Sequence, residues 1–325
     1  MVTSTAPGRR ADRQPCNLLI IMSDEHSRKL AGCYGHPLVQ TPNIDGLAGR
    51  GTLFTDAYTA VPVCVPARAA FAVGKYNHQV GFWDNADPYD GSVTSWHHTL
   101  RARGHHVAAI GKLHFRSRDD DNGFSEELLS MHVLDGKGDL LGLIRDTPPE
   151  REMSWKMARL AGPGETPYTY YDREIASRAQ IWLRNEAPKH RDRPWVLFVS
   201  LVAPHFPLTA PAEHYYRYFG DPRLPMPKLY DRHECPDHPF IADYARTFRY
   251  DDYFNDEESV RRALAGYMGL CSFMDEQVGK ILGALDDTGL TQTTRVVYTS
   301  DHGDNLGAGA CGENPRCTRK RWGCR

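Results

Sequence analysis

The chain has 325 residues, 41% apolar and 25% charged, with 39 Lys and Arg against 41 Asp and Glu for a formal charge of −2. These values lie near globular averages and exclude a fibre or a disordered polyampholyte, and the even mix of charge leaves no field to gather nucleic acid or acidic lipid. No apolar run approaches the roughly 20 residues that cross a bilayer, and the polar, Arg-containing start lacks the apolar core of a signal peptide, so the expectation is a cytoplasmic protein with no nucleic-acid or membrane partner. In that compartment the eight cysteines are not read as a disulfide framework.

In chain order, residues 17–23 form a continuous apolar run of strand length that ends at Asp24, as expected of a central strand covered on both faces. A Cys64-Val65-Pro66-Ala67-Arg68 segment precedes a short helix expected over 69–75. Residues 106–110 read as a short strand ending at Gly111-Lys112, 195–202 as a strand running into Pro204-His205, and 295–300 as a strand ending at Asp301-His302. Helices are expected over 172–185 and 259–285, the second from its apolar spacing at Leu264, Met268, Cys271, Met274, Val278, Ile281 and Leu285. Two stretches rich in Gly, Pro, Asp and Arg, 116–167 and 219–256, read as loops or small subdomains that shape a pocket.

Strands alternating with helices imply an α/β fold with a mainly parallel central sheet flanked by helices. In such sheets ligands bind beyond the carboxyl ends of the strands. Here those ends carry Asp24-Glu25-His26, Lys112-Leu113-His114, His205 and Asp301-His302. Taken singly, Asp24 reads as a loop acid, Asp301-His302 as a polar turn, and each histidine as a surface or hydrogen-bonded core residue; His97-His98 and His105-His106 stay structural. Cys64 alone reads as a structural cysteine ahead of a Pro-initiated helix.

The motifs together resemble the sulfatase family of the alkaline-phosphatase superfamily, over about residues 17–307. They are the strand ending at Asp24; Tyr34-Gly35-His36; Thr41-Pro42-Asn43-Ile44-Asp45-Gly46-Leu47-Ala48; Cys64 to Arg68; Gly111-Lys112-Leu113-His114; Ala203-Pro204-His205-Phe206-Pro207-Leu208; and Ser300-Asp301-His302-Gly303-Asp304. The Trp83-Asp84-Asn85-Ala86 stretch and Lys112 to Phe115 resemble the choline-sulfatase side of the family. The resemblance implies an alkaline-phosphatase-like fold and a hydrolase that cleaves small-molecule sulfate monoesters. Cys-x-Pro-x-Arg is the sequence that a formylglycine-generating enzyme reads, so that enzyme is an implied partner and the modified Cys64 the implied nucleophile.

On the same resemblance Asp24, Asp301 and His302 are metal ligands, with the modified Cys64 completing the set, and Glu25 stands where relatives usually carry Asp or Gln. Carboxylates favour calcium, while the imidazole moves the preference toward manganese. Arg68 and Lys112 would neutralise the sulfate, His114 would assist the diol formed from the aldehyde, His205 would protonate the leaving oxygen, and Asn85 would contact sulfate. A phosphonate or phosphate monoester hydrolase using the same groups is the alternative, and an inert remnant is another.

After Gly307 the resemblance stops. Residues 1–307 are expected to be the α/β catalytic domain with its C-terminal part missing, and 308–325, with Cys311, Cys317 and Cys324 among arginines, a tail unlike the family. Codons permitted for the stretch from Ala310, read one base out of register, can spell a Gly-Leu-Trp-Gly-Lys segment of the kind relatives carry, which points to a frameshift. The loss of later strands is then expected to expose the apolar face of the 259–285 helix. Zinc at the three tail cysteines lacks paired-ligand spacing and a fourth ligand.

Overall fold

The computed structural model describes residues 16–138, 149–227 and 238–305; the tail expected at 308–325 lies outside them. Five parallel strands form the central sheet: β1 (Asn17–Asp24), β2 (Val107–Lys112), β3 (Glu126–Met131), β4 (Val196–Pro204) and β5 (Thr294–Ser300), in the order β3-β2-β4-β1-β5. β2 and β4 are buried along their whole length, as their unbroken apolar runs require of strands covered on both faces. All five run in one direction, so their carboxyl ends, with Asp24, Lys112, His205 and Asp301, share one rim.

The helices that position this rim are α1 (Pro42–Gly49), α2 (Cys64–Val73), α3 (Trp96–Ala102), α4 (Pro167–Asn185) and α5 (Glu257–Asp287). α4 starts at a Thr166 cap whose hydroxyl accepts from the Thr169 amide, with Pro167 in the first turn where its missing N–H costs nothing. Its buried stripe of Ile175, Ala176, Ala179, Trp182 and Leu183 follows the helical period and packs on β2 and β4. α5 is capped by Asp256, which accepts from the Ser259 amide at 2.7 Å. Its 31 residues make a rod about 46 Å long at ~1.5 Å per residue. One apolar cluster lies between these two helices and the sheet; another, with Ala69, Phe82, Tyr89, Phe124 and Phe198, lies under α2 and α3 on the opposite face.

Four differences from the sequence reading have physical reasons. The stretch 116–167 is not all loop, because it contributes β3; an edge strand that is only half-buried carries no apolar run, and its Glu126 instead accepts from the Trp182 indole at 2.7 Å and pairs with His106 at 3.0 Å. Within 219–256 the described part holds a helix, Pro239–Phe248. The helix expected at 69–75 begins at Cys64, since Val63 is extended and Pro66 falls within the first turn. The apolar face of α5 is buried rather than exposed, against α4, α1 and β4. Exposure falls instead on β5, an edge strand with Val297 at 40%.

Gly111 shows how tightly the sheet is built beneath the rim. Its φ is +100°, and a Cβ there would lie 2.2 Å from the Ser200 carbonyl oxygen and 2.8 Å from Ile175 Cδ1. Only glycine lets β2 come this close to β4 just before Lys112.

His97, away from the rim, has a structural role. It stacks on Phe124 with ring centroids 4.2 Å apart, and its Nδ1 lies 2.6 Å from the Asn122 carbonyl oxygen. Burial lowers its pKa from 6.5 to about 3, with the Asn122 carbonyl opposing that shift. A depressed folded-state pKa contributes stability that is present above 6.5 and lost as pH falls toward 3. The urea midpoint is therefore expected to drop across that window, at up to roughly 1.4 kcal/mol per pH unit from this residue. His97→Gln should flatten the acid limb, and an unchanged slope rejects the assignment.

Candidate active site

Position 64 is the first residue of α2, and Arg68 follows one turn later on the same face. Cys64 Sγ lies 3.4 Å from Asp24 Oδ1 and 3.2 Å from His302 Nε2. One donor atom each from Asp24, Cys64, Asp301 and His302 lie within 4.8 Å of one another, all in buried residues. β1 and β5 are in register from Asn17–Thr294 to Ser23–Ser300, so the residues just past this register, Asp24 and Asp301, stand side by side.

Two like charges in a dry site need compensation, and Arg68 provides it. Its Nε donates to Asp301 Oδ2 at 2.8 Å, its Nη2 to Asp24 Oδ2 at 3.1 Å, and its Nη1 to the Lys112 carbonyl at 2.7 Å and Ser200 Oγ at 2.8 Å. Lys112 Nζ forms a further ion pair with Asp24 Oδ2. Burial would raise the Asp24 pKa, but Lys112, His205, Arg68 and His302 hold the carboxyl well below its usual range. Burial, with the Asp24 charge adding to it, pushes the Cys64 thiol well up. The Lys112 and Arg68 pKa values are both raised: burial opposes this, but the facing carboxylates outweigh it.

The turn after β1 is held from α5. Glu25 has φ +64°, and the Tyr267 hydroxyl donates to its carbonyl while accepting from the Ser27 amide at 2.9 Å. Glu25, Cys64 and His205 form another group whose donor atoms lie within 4.8 Å of one another. His205 Nδ1 is 2.7 Å from the Phe206 carbonyl oxygen, so it carries the proton of that contact and leaves Nε2 as the other ring nitrogen. Burial, reinforced by Lys112, lowers His205 from 6.5 to about 4. His114, also in the left-handed region at φ +54°, has its Nδ1 buried without a hydrogen-bond partner among the described residues. Burial first and Lys112 next hold its pKa well below 6.5.

The rim thus brings together Asp24, Glu25, Cys64, Arg68, Lys112, His205, Asp301 and His302. Asn85 lies beside the start of α2. Its Oδ1 accepts from the Val65 amide at 3.2 Å and so ties down the start of α2. In this first turn Val65 gives its N–H to Asn85 and Pro66 has none. Arg68 and Lys112 bring positive charge to the site, paired with Asp24 and Asp301. Sequence reasoning missed Ser200, Tyr267 and Asp172; the last carries a signal, a lone acid on the apolar stripe of α4.

A family model described as Sulfatase matches residues 16–321. The choline-sulfatase of Rhizobium meliloti (strain 1021) is 32% identical over 302 residues, covering 90% of this chain and 58% of the relative. Among solved structures, a 2-O GAG sulfatase matches with TM-score 0.69 and 20% identity over 95% of this chain and 62% of its own. The phosphonate monoester hydrolase of Agrobacterium radiobacter matches with TM-score 0.65 and 22% identity over 90% of this chain and 64% of its own. At these identities the structural likeness is one of fold. The chain spans little more than half the length of the curated relatives it matches.

Removing the central cation should expose the cost of the buried carboxylates. Arg68→Met is expected to lower unfolding free energy by about 3–5 kcal/mol, the range for breaking a buried charge pair. Arg68→Lys should recover only part of it, since one ammonium cannot reach two carboxylates, a carbonyl and a hydroxyl at once. Urea denaturation of the three proteins measures this; a loss below about 1 kcal/mol, the range of a surface pair, rejects the compensating role.

Proposed function

The chain belongs to the sulfatase family, and we propose that it is a hydrolase of small-molecule sulfate monoesters whose nucleophile is formylglycine made from Cys64. The observation that carries this reading is the position of Cys64 Sγ, 3.4 Å from Asp24 and 3.2 Å from His302 at the start of α2. In the modified protein Sγ gives way to an oxygen of the hydrated aldehyde. That diol is the form that reacts.

The donor set fits a divalent cation: two carboxylates, one imidazole and the position-64 atom converge within 4.8 Å. Asp24, Asp301 and His302 would hold it, and calcium or manganese suits this mixture of hard oxygen and imidazole. Bound there, such an ion would lower the pKa of the position-64 hydroxyl and screen the ester oxygens. Glu25 groups with Cys64 and His205 and is not among the ligands we assign.

The chain's own residues account for the rest. Arg68 and Lys112 balance Asp24 and Asp301 before substrate enters, and Lys112 would turn part of its charge to the sulfate. One diol hydroxyl loses its proton to solvent and its oxygen attacks sulfur, and the bond from sulfur to the alcohol oxygen breaks as His205, protonated from solvent when the ester binds, gives that oxygen a proton. His114 then takes the proton of the other diol hydroxyl. The carbon–oxygen bond to sulfate breaks, the aldehyde returns, and water hydrates it again. A His205 with a pKa of about 4 is neutral at physiological pH in the free site; burial is the main cause and Lys112 the second, and the negative charge of a bound ester would offset the second.

A phosphonate or phosphate monoester reading draws support from the fold shared with a phosphonate monoester hydrolase and from the likeness of tetrahedral oxyanions. For the setting, no helix among the described residues is long and apolar enough to cross a membrane. Among the described residues Cys16, Cys33, Cys64 and Cys271 are free thiols, which supports placing the protein in a reducing cytoplasm with a formylglycine-generating enzyme as its maturation partner.

Mass spectrometry of the peptide containing residue 64, after co-expression with the converting enzyme, is expected to show a mass about 18 Da below the thiol form. The converted protein should cleave sulfate esters faster than phosphate or phosphonate esters, and Cys64→Ala should abolish turnover while leaving the circular dichroism spectrum unchanged. Undiminished turnover in Cys64→Ala defeats the nucleophile assignment. A protein that retains the thiol, binds no divalent ion and is inert to every ester is the remnant instead. Calcium and manganese binding by calorimetry should fall at least about tenfold in Asp301→Asn, the scale of losing one buried charged contact.

A further inference from the structure

The acid group of the reaction proposed above, His205, does not stand on a strand with regular pairing. Between Met22 and Asp24 β1 advances two residues while its partner β4 advances four, from Ser200 to Pro204. The extra residues bulge out of the ladder just before His205. A bulge leaves backbone amides that need acceptors, and an unpaired buried N–H is costly.

Asp172 supplies those acceptors. It sits on α4 with 0% exposure, and its two carboxylate oxygens accept from consecutive amides, Val202 and Ala203, at 2.7 Å each. The Val202 carbonyl in turn accepts from the His205 amide at 3.0 Å. A helix carboxylate, the bulge and the imidazole are therefore joined by three short contacts. The carboxylate is met by backbone amides rather than by a cationic side chain. A buried acid spent on two amides is an expensive fastening for a surface that an apolar residue could also fill.

We propose that Asp172 is a positioning residue that fixes the bulge at the end of β4 and thereby aims His205 at the leaving-group oxygen. This rests on the sulfate-ester reading of the site. Displacing a general acid slows the esters that need protonation most. Esters with a weakly basic leaving group need it least.

The test compares 4-nitrophenyl sulfate with a simple alkyl sulfate, using the full chain carrying the converted residue 64. Asp172→Asn keeps one acceptor and turns an NH2 toward the other amide. Its kcat/KM for the alkyl ester is expected to fall at least about tenfold more than for the nitrophenyl ester, within the range a misplaced catalytic group costs. His205→Ala should show the same selectivity, and the double variant should be no worse than His205→Ala. Equal losses on both esters, or additive losses in the double variant, overturn the proposal. If Asp172→Asn does not fold, Asp172→Glu decides by the same ratio; if neither folds, Asp172 is a folding residue and the proposal is wrong. If the unsubstituted protein cleaves neither ester, the hydrolase reading fails separately. Crystal structures then decide the positioning role, with the His205 ring displaced in the variant as the expected result and an unmoved ring as the contrary one.

Discussion

The guanidinium of Arg68 is the contact on which the rest of this site depends. Parallel pairing of β1 with β5 sets two carboxylates next to each other in a dry place. That arrangement is useful for gripping a cation and costly without one. A planar cation with donors on separate nitrogens can reach both acids and still tie itself to β2 and β4 through the Lys112 carbonyl and Ser200. Because α2 places Arg68 one turn after Cys64, the same residue that settles the acids also ties down the start of the helix that carries Cys64. The placement of Cys64 and the stability of the acids are thus governed by one side chain.

The parts of the fold that were legible in the sequence are those where burial on both faces writes a simple pattern. The runs at 17–23 and 195–202 could be read as central strands because nothing polar interrupts their apolar character for long. β3 could not, since an edge strand answers to its neighbours: Glu126 is there for Trp182 and His106. The acids and imidazoles of the rim were legible because strand ends are where α/β folds display ligands, and because Cys64, Pro66 and Arg68 stand in a fixed order. The reach of Arg68 to both Asp24 and Asp301 was not, as it depends on the register of strands some 270 residues apart in sequence.

Asn85 and Asp172 mark the limit of such reading from opposite sides. The motif around Asn85 suggests a contact through its side chain, and its oxygen also serves a backbone amide. Residue type alone makes Asp172 one more acid on a helix, yet it serves two amides. In both cases what mattered was an amide left over by a helix start or a bulge. Leftover backbone groups are a product of tertiary geometry and leave no trace in residue type.

α5 is fastened to the structure at two separate places. Tyr267 grips the turn that holds Glu25, and two helical turns further on Asp275 accepts from the amides of Asn43 and Ile44 at the start of α1. With its apolar face packed against α4, α1 and β4 between and beyond these points, α5 joins the turn after β1 and the start of α1 to one rigid body. A substitution that wears away the α1 joint is therefore felt through the same helix at the turn that carries Glu25.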